Sequence, residues 1–256
     1  MIKTAQQIQT IKDSGKYLNE LLYLIYEKSK PGIALIELEF VAEDFLKKRW
    51  LRWAFKWYQW FPANLCLSIN DCVVHWIPDW YILKNWDLLK IDCGVNYQWW
   101  ITDSAISLVI WWEFANPLWH GLTKATKQWL DFAIKNIWPG IAMYEYSHGI
   151  YSFIHNAGFS ILEKLTWHGV GTKVHEKPHI YNYPHPESKK IFFETGMVLA
   201  FEPITAVTSK DFVSRKWNDW NLYCKDGDLW AHWEYTIVIT PNGFEILSWI
   251  TENLWF

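Results

Sequence analysis

Glycine is scarce in this chain. There are 12 glycines, where average usage of about 7% would give roughly 18. Cysteine is sparse too. Cys66, Cys72, Cys93 and Cys224 form no CxxC pair and no secreted disulfide framework, so a reducing cytoplasm is the simplest setting. No apolar run is long and uncharged enough to span a membrane. The opening MIKTAQQIQTIKDSGK is polar and lacks the apolar core of a signal peptide. A basic excess is also missing: the net charge is -3, so no global field invites nucleic acid. Low-complexity runs and linkers are absent, which favours one domain over residues 1–256.

What the chain has instead is tryptophan, 21 residues of it, and 51% apolar residues, ample for a core. Residues 4–29 read as an amphipathic helix. Ile8, Ile11, Leu18, Leu21, Leu22 and Ile25 recur at helical steps, Thr4 is the N-cap, and Pro31-Gly32 stops it. Leu35 to Arg49 reads as a second helix with basic residues at its C-terminal end. An aromatic loop, Trp50 to Trp60, precedes a strand NLCLSIN and a strand CVVH. Helices are expected over Pro117 to Ile137 and Tyr144 to Asn156, and strands over Met197 to Val207 and Ala231 to Thr240. Residues 208–228 read as a polar loop. Two helices followed by strands with buried acids occur in each half, which hints at an internal duplication.

The stretch LLKIDCGVNYQWWITDSA (Leu88–Ala105) reads as a β-hairpin. A turn centred on Tyr97-Gln98 would put Asp92 opposite Asp103. Cross-strand carboxylates with Cβ atoms roughly 5 Å apart repel, and need protonation, a cationic side chain or a metal. Glu202 and Glu234 interrupt other apolar strands, and His168 sits in a glycine-containing turn. The only basic residue within these strand stretches is Lys90, whose side chain is read as lying on the face opposite Asp92. Buried carboxylates are costly unless paired or metal-bound. Four of them balance two divalent cations, with a neutral imidazole as fifth ligand, and such a pair can activate water and polarise a carbonyl. That donor set suits Mn, Fe, Co or Zn.

Over residues 4–248, the motifs FPANLC, VVHxIPD, IDCG, TDSA, HGVGxxxHExP, FEP and WEYT together make the chain resemble a type I methionine aminopeptidase. The resemblance implies an α+β pita-bread fold: a curved antiparallel sheet with helices packed outside and pseudo-twofold halves. It implies that Asp92 chelates one ion, that Asp103 and Glu234 bridge two, and that His168 and Glu202 complete the other. Glu202 is also implied as general base or acid. His75 and His175 would hydrogen-bond the scissile amide and the tetrahedral intermediate. Tyr58, Phe61, Cys66 and Trp220 would form the methionine pocket, a setting that suits a thioether. His179 and His185 match no role and read as loop histidines.

The implied reaction is removal of an N-terminal methionine that precedes a small residue, by a monomer acting on peptides and nascent chains with transient ribosome contact. Alternatives are a related X-Pro peptidase and a non-enzymatic binding module of the same fold.

The chain departs from that family at glycines. Trp57, Trp60, Trp76, Trp86, Trp99 and Trp167 stand where the family pattern or turn chemistry calls for Gly. One cause explains both the tryptophan excess and the glycine deficit: a gene whose UGA codons mean glycine, translated as if they meant tryptophan. Crowding is then expected at His75 and His168 in the chain as written.

Overall fold

The computed structural model describes residues 2–111, 117–215 and 218–248. The first helix, α1 (Ala5–Lys28), begins at Thr4, whose side chain accepts from the Gln7 amide while the Gln7 side chain accepts from the Thr4 amide. Its buried stripe of Ile11, Leu18, Leu21, Leu22 and Ile25 packs on strands β4 (Leu88–Tyr97) and β5 (Trp100–Val109). The second helix, α2 (Leu35–Lys48), ends in a Schellman motif. The Leu51 amide donates to the Leu46 carbonyl at 3.0 Å and the Trp50 amide to the Lys47 carbonyl at 3.2 Å. Helices α3 (Pro117–Lys135) and α4 (Met143–Asn156) complete the helical set among the described residues.

Every strand pairing among the described residues is antiparallel. β4 pairs with β5 along one edge and with β1 (Arg52–Trp53) and β2 (Leu65–Ile69) along the other. A second sheet joins β3 (Cys72–Val74) to β12 (Asn218–Cys224) and β11 (Phe212–Arg215). The later half supplies β6 (Ser160–Ile161), β7 (Thr166–Gly169), β8 (Glu176–Tyr181), β9 (Val198–Phe201), β10 (Ile204–Ala206), β13 (Trp230–His232), β14 (Tyr235–Thr240) and β15 (Gly243–Ile246). Of these, β15-β14-β9-β7-β8 form one sheet and β13-β10-β6 another. Apolar residues from the helices, such as Leu22, Leu38, Trp129 and Ile150, meet Ile91, Ile106, Leu199 and Ile237 of the sheets in the main core. The expected α+β class is the observed one.

Several expectations need correction. The hairpin turns at Gln98-Trp99, not Tyr97-Gln98, so Asp92 faces Ala105 and Asp103 faces Gly94. Both turn residues have positive φ (49° and 73°), as a type I′ turn demands. The two acids are therefore diagonal neighbours on one face rather than a direct pair. A Cβ on Gly94 would stand 2.8 Å from the Ala54 Cβ, so that position requires glycine. Lys90 is two residues from Asp92, hence on the same face, not the opposite one. Its buried ammonium donates to the Asn70 carbonyl at 2.8 Å, and burial lowers its pKa to about 8. The polar loop over 208–228 contains β11 and β12; residues 216 and 217 lie outside the described residues. The strands over 197–207 and 231–240 are each split, at Glu202-Pro203 and at Trp233-Glu234. The aromatic loop contains β1 and a short 3-10 turn over Tyr58–Trp60.

Candidate active site

The splits in the strands place acids. Glu202 follows β9 and Glu234 precedes β14, where each side chain leaves the ladder and turns inward. Glu234 is held from both sides: its amide donates to the Ala105 carbonyl at 2.9 Å and its carbonyl accepts from the Ser104 hydroxyl. The Asp103 amide donates to the Thr236 hydroxyl at 2.9 Å, and that hydroxyl donates to the Asp103 carbonyl at 2.7 Å. These bonds stitch β5 of the first half to β14 of the second and bring the acids of both halves together. Cys66 on β2 faces Asp92 directly across the sheet.

One cavity of about 260 Å³ collects the expected residues. Tyr58, Phe61, Cys66, His75, Asp92, Asp103, His168, His175, Glu202, Trp220 and Glu234 all line it. Phe61 meets Trp220 edge-on at 5.1 Å between centroids, and Trp220 lies 6.1 Å from His75. Tyr58 meets His175 at 5.2 Å, and His175 stands 4.2 Å from His168. An aromatic, thiol-bearing wall thus adjoins the acids. Burial and the Asp92 charge push the Cys66 thiol well up, so it stays neutral.

The four acids are crowded and withdrawn from water. Burial raises the carboxyl pKa of Asp92, Asp103, Glu202 and Glu234, and mutual repulsion adds to it at Asp92, Asp103 and Glu234. Asp92 Oδ1, Asp103 Oδ1 and Glu234 Oε1 are buried without a hydrogen-bond partner. His168 Nδ1 faces the Gly169 carbonyl at 3.0 Å, which places the proton on Nδ1 and a lone pair on Nε2. That lone pair points at Glu202 Oε1, 3.3 Å away. Burial lowers the His168 pKa to about 3, so the ring is neutral. A proton on Glu202 reconciles the pair when no metal is bound, and a divalent cation does so when the carboxylate is ionised. Asp103, His168 and Glu234 each offer a ligand atom within 4.8 Å of the others. The donor set of carboxylate oxygens and imidazole nitrogen fits a divalent transition metal.

Two histidines that line the cavity are not among the site residues expected from the sequence. His179, read as a loop histidine, lies on β8 and reaches the cavity. His232 ends β13 and also lines it; its place two residues before Glu234 in an apolar run was a period-two signal. His185 caps a short 3-10 turn, as a loop histidine can. Of the six tryptophans expected at glycine positions, Trp57, Trp60, Trp86 and Trp99 have positive φ, as glycine positions do, whereas Trp76 and Trp167 do not. Crowding appears beside His168: the buried Trp167 ring lies 3.5 Å from Phe201 between centroids, below the usual 4.5–7 Å. It does not appear beside His75, where Trp76 meets Tyr81 and Tyr223 at an ordinary 5.8 Å.

Comparison with known proteins agrees with this geometry. The profile of metallopeptidase family M24 matches residues 9–241. The chain is 35% identical over 250 residues to the methionine aminopeptidase of Mycoplasma capricolum, covering 96% of this chain and 97% of that one. The crystal structure of methionine aminopeptidase from Thermotoga maritima superposes with a TM-score of 0.92 at 32% identity, covering 97% and 98% of the two chains. A prolidase from Pyrococcus horikoshii shares the fold at 20% identity and a TM-score of 0.77, and the chain covers 65% of its length. No described helix is long and apolar enough to cross a membrane.

Proposed function

The chain belongs to metallopeptidase family M24, and from that premise we propose how its residues remove an N-terminal methionine. Asp92, Asp103, His168, Glu202 and Glu234 would hold two divalent cations; Co, Mn, Fe and Zn all suit the donors. When bound, these ions supply Lewis acidity toward water and toward the scissile carbonyl. The observation that carries this reading is the convergence of four acids and an imidazole from distant strands on one cavity wall.

The protein's own groups do the rest. Glu202 keeps 14% of its side chain exposed, more than Asp103 or Glu234, and it takes the proton from the attacking water and passes it to the leaving amine. Burial lowers the His75 pKa to about 4, so it meets substrate as a neutral imidazole able to hydrogen-bond the amide. His175, at the cavity mouth beside Tyr58, steadies the developing oxyanion. Tyr58, Phe61, Cys66 and Trp220 take up the methionine side chain, their apolar faces and thiol packing against its thioether. We place the whole chain in one catalytic domain, acting as a cytoplasmic monomer on peptides and on nascent chains during brief visits to the ribosome.

The test is release of methionine from Met-Ala-Ser, with an X-Pro peptide as contrast, by protein loaded with Mn or Co. Gly is restored at positions 57, 60, 76, 86, 99 and 167. Cleavage of Met-Ala-Ser alone is expected. Metal-loaded protein that leaves Met-Ala-Ser intact refutes the reading.

A further inference from the structure

We propose that His232 is a sixth protein ligand of the metal centre, which then carries two imidazoles. The inference rests on the metallopeptidase reading and adds a donor to it. His232 is 2% exposed. Its backbone is pinned on both sides by one hydroxyl: the His232 amide donates to Ser107 Oγ at 2.8 Å, and Ser107 Oγ donates to the His232 carbonyl at 2.7 Å. The ring is thereby held toward the acids. Nε2 stands 3.3 Å from Glu202 Oε2 and 4.0 Å from Glu234 Oε2. Neither ring nitrogen has a hydrogen-bond partner.

The spacing is informative. Ligand atoms at about 2.0–2.2 Å from a shared cation stand roughly 3–3.5 Å apart. His168 meets Glu202 Oε1 at 3.3 Å and His232 meets Glu202 Oε2 at the same distance. The Glu202 carboxylate therefore lies between two imidazoles, one oxygen to each. A second nitrogen donor favours Zn, Co or Fe over the oxygen-loving Mn.

Protein loaded with Co(II) tests this by proton NMR, through the solvent-exchangeable imidazole N–H signals that the paramagnetic ion shifts. Two such signals are expected. His232→Gln should remove one and weaken cobalt binding about 10–100-fold, at least what losing a supporting contact costs; His168→Gln should remove the other. One signal that survives in His232→Gln, from protein that binds cobalt and releases methionine, overturns the sixth ligand and leaves the peptidase reading standing. Failure to bind cobalt at all overturns both.

A separate observation carries a second inference. We infer that positions 50, 57, 60, 86, 99 and 111 are glycine in the protein its own cells make, because UGA is a glycine codon there. Ten described residues other than glycine have positive φ, and six of them are Trp50, Trp57, Trp60, Trp86, Trp99 and Trp111. Left-handed backbone favours glycine and, among other residues, Asn, Asp and His; tryptophan gains nothing there. Nor does burial offset the strain, since these six are 49–94% exposed. Two of the sites are glycine positions by local geometry alone: Trp50 follows the C-cap of a Schellman motif, and Trp99 is the second turn residue of a type I′ hairpin. Trp50 and Trp111 come from backbone geometry, without any family pattern.

Codon sequencing joined to peptide mass spectrometry of the native protein decides it. UGA at all six positions and glycine in the matching peptides are expected, with UGG at Trp220. UGG at the six positions, or tryptophan in those peptides, overturns the inference.

Discussion

Replacing Trp50 by glycine should stabilise the protein, and replacing it by alanine should not. Trp50 has φ of 57° and is 94% exposed, so its indole contributes almost no packing that the change would lose. The left-handed conformation costs a non-glycine residue about 1–2 kcal/mol. Glycine returns about 0.4–1 kcal/mol of that through its larger freedom in the unfolded chain. The net gain is about 1 kcal/mol, which in a domain of this size raises Tm by about 2–4 °C. Alanine keeps a Cβ at the same φ and relieves nothing. Thermal unfolding of the metal-loaded Trp50 chain, Trp50→Gly and Trp50→Ala under identical conditions is the assay. Equal Tm values for the two variants would refute the strain argument, because only backbone conformation separates them.

Other outcomes follow from the site. Glu202→Gln should lower kcat for Met-Ala-Ser by about 10²–10⁴-fold while leaving a cooperative unfolding transition. Trp220→Ala opens the wall that Phe61 packs against and should reduce kcat/KM for methionyl peptides by about tenfold or more, read by peptide-release kinetics. Metal-free protein should lose stability as pH rises. Burial raises the folded-state pKa of Asp92, Asp103, Glu202 and Glu234 above their ordinary 3.8 or 4.5. The native state therefore holds protons that the unfolded chain has released. Stability is full below the unfolded values and drains as pH climbs through the raised ones into the neutral range. Urea titrations with EDTA between pH 4 and pH 8 check this, and saturating metal should abolish the decline.

Much of the site was legible because polar residues in apolar strands are expensive and therefore conspicuous. Asp92, Asp103, Glu202 and Glu234 each interrupt an otherwise apolar run, and each lines the cavity. The hairpin register was not legible, because Gln98-Trp99 hides the asparagine-glycine type of signal that marks a type I′ turn. Lys90 was assigned to the wrong face although strand alternation alone settles it. The strands β11 and β12 escaped notice because their outward positions are polar and their apolar ones few: Leu222 and Tyr223 carry the pairing to β3. His232 lies outside every family motif, and only its place two residues before Glu234 marks it in the sequence.

The interruptions at Glu202-Pro203 and Trp233-Glu234 have a mechanical consequence. A continuous ladder would share any tug on these carboxylates along many rungs. The gap between β9 and β10 leaves Glu202 outside any ladder, whereas Glu234, in the gap between β13 and β14, is tied instead to Ser104 and Ala105 of β5. The Trp233 amide, reaching the Pro203 carbonyl at 3.4 Å, ties one gap to the other. The position of Glu202 is thereby referred to the same β5 anchor that fixes Glu234, so one strand of the first half sets the spacing of two acids from the second.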